Sequence, residues 1–197
     1  MKILLENRTI IDQKDMSISH IFEIINKTIA EDDKIFSHLV IDSVPINDNF
    51  EDYFNEHLNS LECVEIITKT YEENIWDIIA STHDYLNRGI KEMEQLADNF
   101  YKTPKVQDWK QLADLFEGMG WILESTELVN AYEQVALPEK LWQDYNENVD
   151  TLKEQVAILS VAMEHDDRVT IADVVSYEIV PIFNALLKVC KELMNQR

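Results

Sequence analysis

Three glycines and four prolines among 197 residues leave few places where this chain can take a left-handed turn or stop a helix sharply. Long regular elements are therefore favoured. The same shortage, with 46% hydrophobic residues recurring along the whole length, excludes disordered and low-complexity tracts. Cys63 and Cys190 stand alone. Without a Cys-x-x-Cys pair they form no disulfide framework or thiolate metal site, and they fit a reducing compartment. The N-terminal run reaches Glu6 too early to hold a signal-peptide apolar core. No apolar run is read as approaching the ~18 residues a membrane span requires, so the expected location is cytoplasmic.

Basic residues are also scarce. Lysine and arginine number 17 against 38 acidic residues, a net charge of −21. The imbalance is not an acidic tail: residues 1–70 carry 14 acidic and 6 basic side chains, and residues 71–197 carry 24 and 11. Such a field repels phosphate backbones and anionic lipid, so neither nucleic acid nor membrane is expected as a partner. It attracts basic proteins, although acidity serves solubility equally well.

Residues 1–70 change period several times. Ile3 and Leu5 alternate with Lys2, Leu4 and Glu6 as in a strand. Asn7-Arg8 suits a tight hairpin into Thr9–Asp12. Ile18, Ile21, Phe22, Ile25 and Ile29 mark one face of a helix, capped by Asp15 or Ser17 and ending at Asp32-Asp33-Lys34. His38 to Ile46 is extended, with Pro45 at a strand end or sheet edge. After turn residues Asn47-Asp48-Asn49, a short helix over Phe50–Phe54 precedes a last strand over Cys63–Thr68.

This order, hairpin, helix, strand, short edge segment, short helix, strand, resembles the ubiquitin-like β-grasp fold. The likeness lies in element order and spacing over residues 1–70, not in a diagnostic motif, and a generic α+β domain with the same elements is the alternative. The family implies an apolar recognition patch on the outer face of the sheet, and the positions matching it here are Leu4, Val40 and Ile67. They serve either as an interface or as a surface packed on the helical half. Ubiquitin's free Gly-Gly tail has no counterpart, since the last strand runs into Lys69-Thr70-Tyr71-Glu72-Glu73. A conjugated modifier is not implied.

Thr70-x-x-Glu73 has capping-box spacing and leaves no flexible linker, so a fixed orientation of the two halves is expected. Four seams at alternating steps of three and four then predict an antiparallel up-down four-helix bundle over residues 71–197. They run from Ile75 to Phe100, from Trp109 through Phe116 and Leu123 to Asn130, from Trp142 to Met163, and from Ala172 to Leu193. Thr103-Pro104 stops the first helix, Pro138 suits N1 of the third, and Asp166-Asp167 caps the fourth.

Counting outward from the turns places Gly89, Gly118, Gly120 and Pro181 in one mid-bundle layer. An interior glycine costs ~1 kcal/mol and a proline ~3 relative to alanine. Two readings stand. One is a pocket or kink presenting Gly89, Gly120, Trp121, Tyr177, Glu178 and Pro181; the other is close packing with Trp121 filling the space. Trp76, Tyr85 and Trp121 are read as exposed, forming either a homodimer face or a wall against the N-terminal half.

No catalytic or cofactor constellation is expected. A bundle di-iron site needs Glu-x-x-His, and His20, His38, His57, His83 and His165 are preceded at that step by Ser17, Ile35, Phe54, Ala80 and Ala162. His83 and His165 fall in separate regions, too far apart for a shared zinc. No P-loop, Gly-x-Ser-x-Gly or His-Glu-x-x-His occurs. The expected function is a non-catalytic protein-interaction module, an acidic adaptor or chaperone for a basic client. The alternative is a ligand-binding or enzymatic bundle using the glycine/proline layer. A weaker third reading, a nucleic-acid mimic, needs rows of carboxylates that the spacing does not supply.

Overall fold

The structure, a computed structural model, describes residues 1–5, 8–12, 17–31, 34–57, 60–132, 135 and 137–197. It is α+β and divides into two units, Met1–Asn74 and Ile75–Arg197.

The first unit is a five-stranded mixed sheet with two helices. Its elements are β1 (Lys2–Leu5), β2 (Arg8–Asp12), α1 (Ile18–Glu31), β3 (Ile35–Ile41), β4 (Val44–Ile46), α2 (Phe50–His57) and β5 (Cys63–Lys69). The strand order is β2-β1-β5-β3-β4, with β1 and β5 parallel and every other neighbouring pair antiparallel. Alternation puts Ile3, Leu39, Ile41, Val64 and Ile66 on one face, where they bury with Ile21, Ile24 and Ile25 of α1 and with Phe54 of α2. A bulge between Phe36 and His38 lets Phe36 and Leu39, three residues apart, pack on the same core.

Several turn readings are corrected. The extended run expected over His38–Ile46 begins earlier, at Ile35, and folds back at Asp42-Ser43, both with positive φ (46° and 72°). Asp42 tolerates that conformation because its carboxylate has partners: it accepts from the Cys63 N–H at 2.8 Å and the Glu62 N–H at 3.2 Å, tying the hairpin to β5. Pro45 lies in the edge strand β4, where its missing N–H breaks no interior ladder. Arg8, expected in a turn, already belongs to β2, and Asn7 lies outside the described residues. Ser17 caps α1, its Oγ accepting from the His20 N–H at 3.3 Å. Asp15, the other expected cap, and Asp32-Asp33, the expected helix end, lie outside the described residues.

The capping box is formed. The Thr70 N–H donates to Glu73 Oε2 at 2.8 Å and the Glu73 N–H donates to Thr70 Oγ1 at 3.1 Å. This starts α3 (Tyr71–Phe100) one residue after β5. The second unit continues with α4 (Val106–Asn130), α5 (Glu139–Glu164), α6 (Arg168–Asp173), a π-helical turn over Val174–Ile179 and α7 (Val180–Asn195). Pro138 is the N-cap of α5 rather than its first residue. Asp167 caps α6: its carboxylate accepts from the N–H and the hydroxyl of Thr170, which hold the carboxyl below its ordinary value.

The seams of α3 and of α6–α7 are buried along nearly their whole expected length. That of α4 is rotated: Leu115, Ile122 and Val129 are buried where Phe116, Leu123 and Asn130 were expected. Leu112, Met119 and Thr126 belong to both stripes, so the period alone did not separate them. Asn130 instead accepts from the Trp142 indole at 2.8 Å and donates to Asn146 at 2.7 Å, joining α4 to α5. Pro181 explains the π-helical turn. Its ring would strike the Tyr177 carbonyl in a regular helix, and the widened turn instead pairs the Val180 N–H with the Val175 carbonyl, five residues back.

The expectation that no apolar stretch reaches membrane-spanning length is corrected. Arg168–Asn195 is long and apolar enough, with a mean hydropathy of 1.4 in its best window, and half of that window is buried inside the protein. The buried side chains of α7 include Phe183, Leu186, Cys190 and Leu193, which belong to the hydrophobic core of the unit.

Two of the three aromatics expected to be exposed are not. Trp76 is 9% exposed, with the Arg197 guanidinium 5.3 Å from its ring centroid, and Tyr85 is half-buried. Only Trp121, at 40%, is open. It is Tyr85, not Trp121, that packs on a glycine: a Cβ on Gly118 would lie 1.9 Å from its hydroxyl oxygen and 2.3 Å from Cζ. The ring is held by an edge contact with Phe183 at 6.1 Å. Gly89 and Gly120 would admit a methyl freely. Gly89→Ala and Gly120→Ala are therefore expected to stabilise the protein by up to ~1 kcal/mol each, and Gly118→Ala to destabilise it by ~1–3 kcal/mol. Urea denaturation of the three variants checks this, and equal signs at all three positions would refute the close approach.

Candidate functional site

The register of the sheet decides what its outer face presents. Thr9, Leu4, Glu65, Val40 and Pro45 form one row across β2, β1, β5, β3 and β4. Ile67 follows Glu65 on the same face and pairs with His38. The sheet thus sets Leu4, Val40 and Ile67 on the side opposite the core, but each is half-buried rather than exposed. Glu65 stands between Leu4 and Val40, so the expected apolar trio is interrupted by a carboxylate. Cys63 lies on the same face, and partial burial, then Asp42 and Glu65, push its thiol above the ordinary range. With Lys2 beside Cys63 and Lys69 two residues beyond Ile67, this face carries both signs of charge.

The six pocket candidates do not converge. Gly89 lines a recess of about 120 Å³ between α3 and α4 with Tyr85, Glu92, Met93, Gln111 and Asp114. Trp121, Tyr177, Glu178 and Pro181 are surface residues, Tyr177 being 68% exposed, and none of them lines this recess. Burial, then Asp114 and Glu92, raise the Tyr85 phenol, so it stands in the recess as a neutral hydrogen-bonding group. The recess has room for a few waters, well short of the ~300 Å³ at which organic-ligand pockets begin. Tyr177 belongs instead to a cluster at the end of α3, where the Tyr101 hydroxyl donates to Asp173 and also meets Tyr177.

Tyr145 is buried with its hydroxyl against Thr126 and Thr82. Cys190 lies nearby, its thiol pushed up to about 12 by burial. A thiol so protonated is a poor nucleophile. Among the described residues, no three His, Cys, Asp or Glu side chains are placed to hold a metal ion.

A surface not anticipated from the sequence lies on the outside of α5. Ala157, Ile158 and Val161, with His165, Asp167 and Thr170 beyond the helix end, line an open apolar groove of about 600 Å³. Ile158 is 46% exposed and Val161 56%. Their signal was present, since apolar residues at 157, 158 and 161 fall off the buried seam of α5.

No curated protein and no solved structure matches this chain. Residues 77–189, more than half of the length and almost the whole helical unit, match the family described as Domain of unknown function (DUF8042). By that match the chain belongs to this family.

Proposed function

We propose that this protein is a non-catalytic, cytoplasmic protein-interaction module in which a ubiquitin-like β-grasp domain is joined to an antiparallel up-down four-helix bundle. Supporting the first part, the strand order 2-1-5-3-4, the parallel β1–β5 pair and the helix between β2 and β3 follow the order of that fold. Supporting the second, α3 meets the α6–α7 helix in reverse order, through Trp76 with Arg197, Tyr85 with Phe183 and Tyr101 with Asp173.

The observation that carries the interaction reading is the outer sheet face. Leu4, Val40 and Ile67 present branched apolar side chains away from the core on three neighbouring strands, grouped around Glu65. Rigid, partly apolar faces edged with both charges are what protein partners recognise. The net charge of −21 adds steering toward basic clients.

The test is affinity capture from native cytosol at low and high salt, comparing wild type with Val40→Asp plus Ile67→Asp. A partner lost in the variant and weakened by salt supports the reading. Identical capture by both proteins, with the variant's thermal midpoint unchanged, would remove the sheet face from the account.

A further inference from the structure

On the reading of the chain as an interaction protein, the geometry points to a second site: we propose that the outer face of α5 docks an amphipathic helix of another protein, apolar at one end and rich in lysine or arginine at the other. The core face of α5 is Tyr145, Val149, Leu152, Leu159 and Ala162. At 100° per residue, the direction opposite is a single stripe: Glu147, Asp150, Glu154, Ile158, Val161 and His165, in steps of three and four. All six are exposed. The stripe is polar-acidic over its first three positions and apolar over the next two, where it opens into the groove of about 600 Å³ closed at its far end by Asp167 and Thr170.

The charges nearby say which occupant fits. Glu164, Asp166 and Asp167 rim the apolar end and are exposed. Arg168 is tied to Asp166 at 3.0 Å, and Lys153 reaches toward Glu127 of α4 at 3.8 Å. His165 folds back, its Nδ1–H donating to the Val161 carbonyl at 2.8 Å. The groove therefore offers apolar surface beside exposed carboxylates: Asp166 is paired with Arg168, whereas Asp167 and Glu147 are met by the neutral donors Thr170 and Gln143. A helix that buries its own apolar stripe there sets residues one and two turns further along against Glu154, Asp150 and Glu147, and lysine or arginine satisfies them. A second copy fits less of the stripe: a twofold axis midway between Ile158 and Val161 covers the two apolar residues and sets Glu154 against His165, but brings no cation to Asp150 or Glu147. Anionic lipid is repelled by the same carboxylates.

The experiment titrates the full-length protein into a fluorescein-labelled synthetic helix of about 18 residues, five turns, with leucines on one face of its first half and lysines on that face of its second half. A scrambled peptide of the same composition is the control. Binding is expected at least tenfold tighter for the amphipathic peptide than for the scrambled one. Ile158→Glu plus Val161→Glu is expected to weaken it at least tenfold although it makes the protein more negative. Glu147→Gln, Asp150→Asn and Glu154→Gln together are expected to flatten its salt dependence. Equal binding of the two peptides, or binding unchanged or tightened by the Ile158/Val161 variant, would mean attraction to a polyanion only and overturn the proposal. So would a wild-type dimer by sedimentation that the same variant makes monomeric. Val40→Asp plus Ile67→Asp is expected to bind the peptide as wild type does. If the peptide fails while that sheet variant still loses its captured partner, this site alone is wrong; if the sheet variant loses nothing and the peptide binds, the sheet face is wrong.

Discussion

Replacing Tyr145 by alanine is expected to lower the stability of the helical unit by about 3–5 kcal/mol, the cost of emptying a large aromatic site in a packed core. Tyr145 is 2% exposed and belongs to the largest fully buried side chains. It reaches across from α5 to Thr126 on α4 and Thr82 on α3. Each threonine already donates its own proton to the carbonyl one turn earlier, Thr82 to Ile78 at 2.8 Å and Thr126 to Ile122 at 2.7 Å. The phenol oxygen lies within hydrogen-bonding reach of both threonine hydroxyls, so three helices share one polar junction. Tyr145→Phe keeps the ring and gives up that hydrogen bond, and is expected to cost about 1 kcal/mol. Urea unfolding monitored by circular dichroism separates the two terms. A phenylalanine variant as unstable as the alanine one would show that the hydroxyl, not the ring, dominates.

The second large effect is alkaline. Burial pushes the Cys190 thiol from 9.0 to about 12, and burial likewise raises the Tyr145 phenol beside it. In both groups the folded state favours the neutral form, so the unfolded chain ionises first. The stability they supply is complete below the unfolded values, near 9 for Cys190, and is lost as pH climbs from there toward about 12. The slope is about 1.4 kcal/mol per pH unit for each group while only the unfolded state is ionised. Unfolding free energies of wild type and Cys190→Ala are expected to converge between pH 8 and 11 by roughly 2–3 kcal/mol, since alanine has no proton to lose. Titrations of groups that do not feel the Cys190 charge are common to both proteins and cancel in the difference; that of Tyr145 does feel it. A constant gap over that range would show that the thiol is not held neutral. Below pH 8, Cys190 is expected to resist thiol reagents until the protein unfolds.

Much of the organisation was legible because single stripes leave no choice. Along α3, Ile75, Ile79, Leu86, Met93, Leu96 and Phe100 are the residues a helix must hide, and they are buried. The same holds for α7. Along α4, apolar residues flank one another at Leu115-Phe116 and Ile122-Leu123, so two stripes satisfied the period and only packing against α3, α5 and α7 selected between them. The outer sheet face was placed correctly by alternation, whereas its degree of exposure and the intrusion of Glu65 depend on which residues of neighbouring strands come into register. The pocket candidates failed for another reason. Level along a bundle says nothing about azimuth: Glu178 and Pro181 are exposed and do not line the recess with Gly89, and Tyr177 reaches Tyr101 at the end of α3.

By itself, the order of residues determined the change from alternation to helical stepping at Thr70, the elements on either side, their caps and the charge. These follow from short-range physics: the period of side-chain directions and hydrogen bonds spanning a few residues. The tertiary structure alone decided the rotation of α4, the widened turn before Pro181, the closeness of Tyr85 to Gly118, and the apolar groove on α5 beside its acidic stripe. Each depends on distances between groups far apart in the chain. Those distances are set by how whole helices and strands fill space against one another, which no local period encodes.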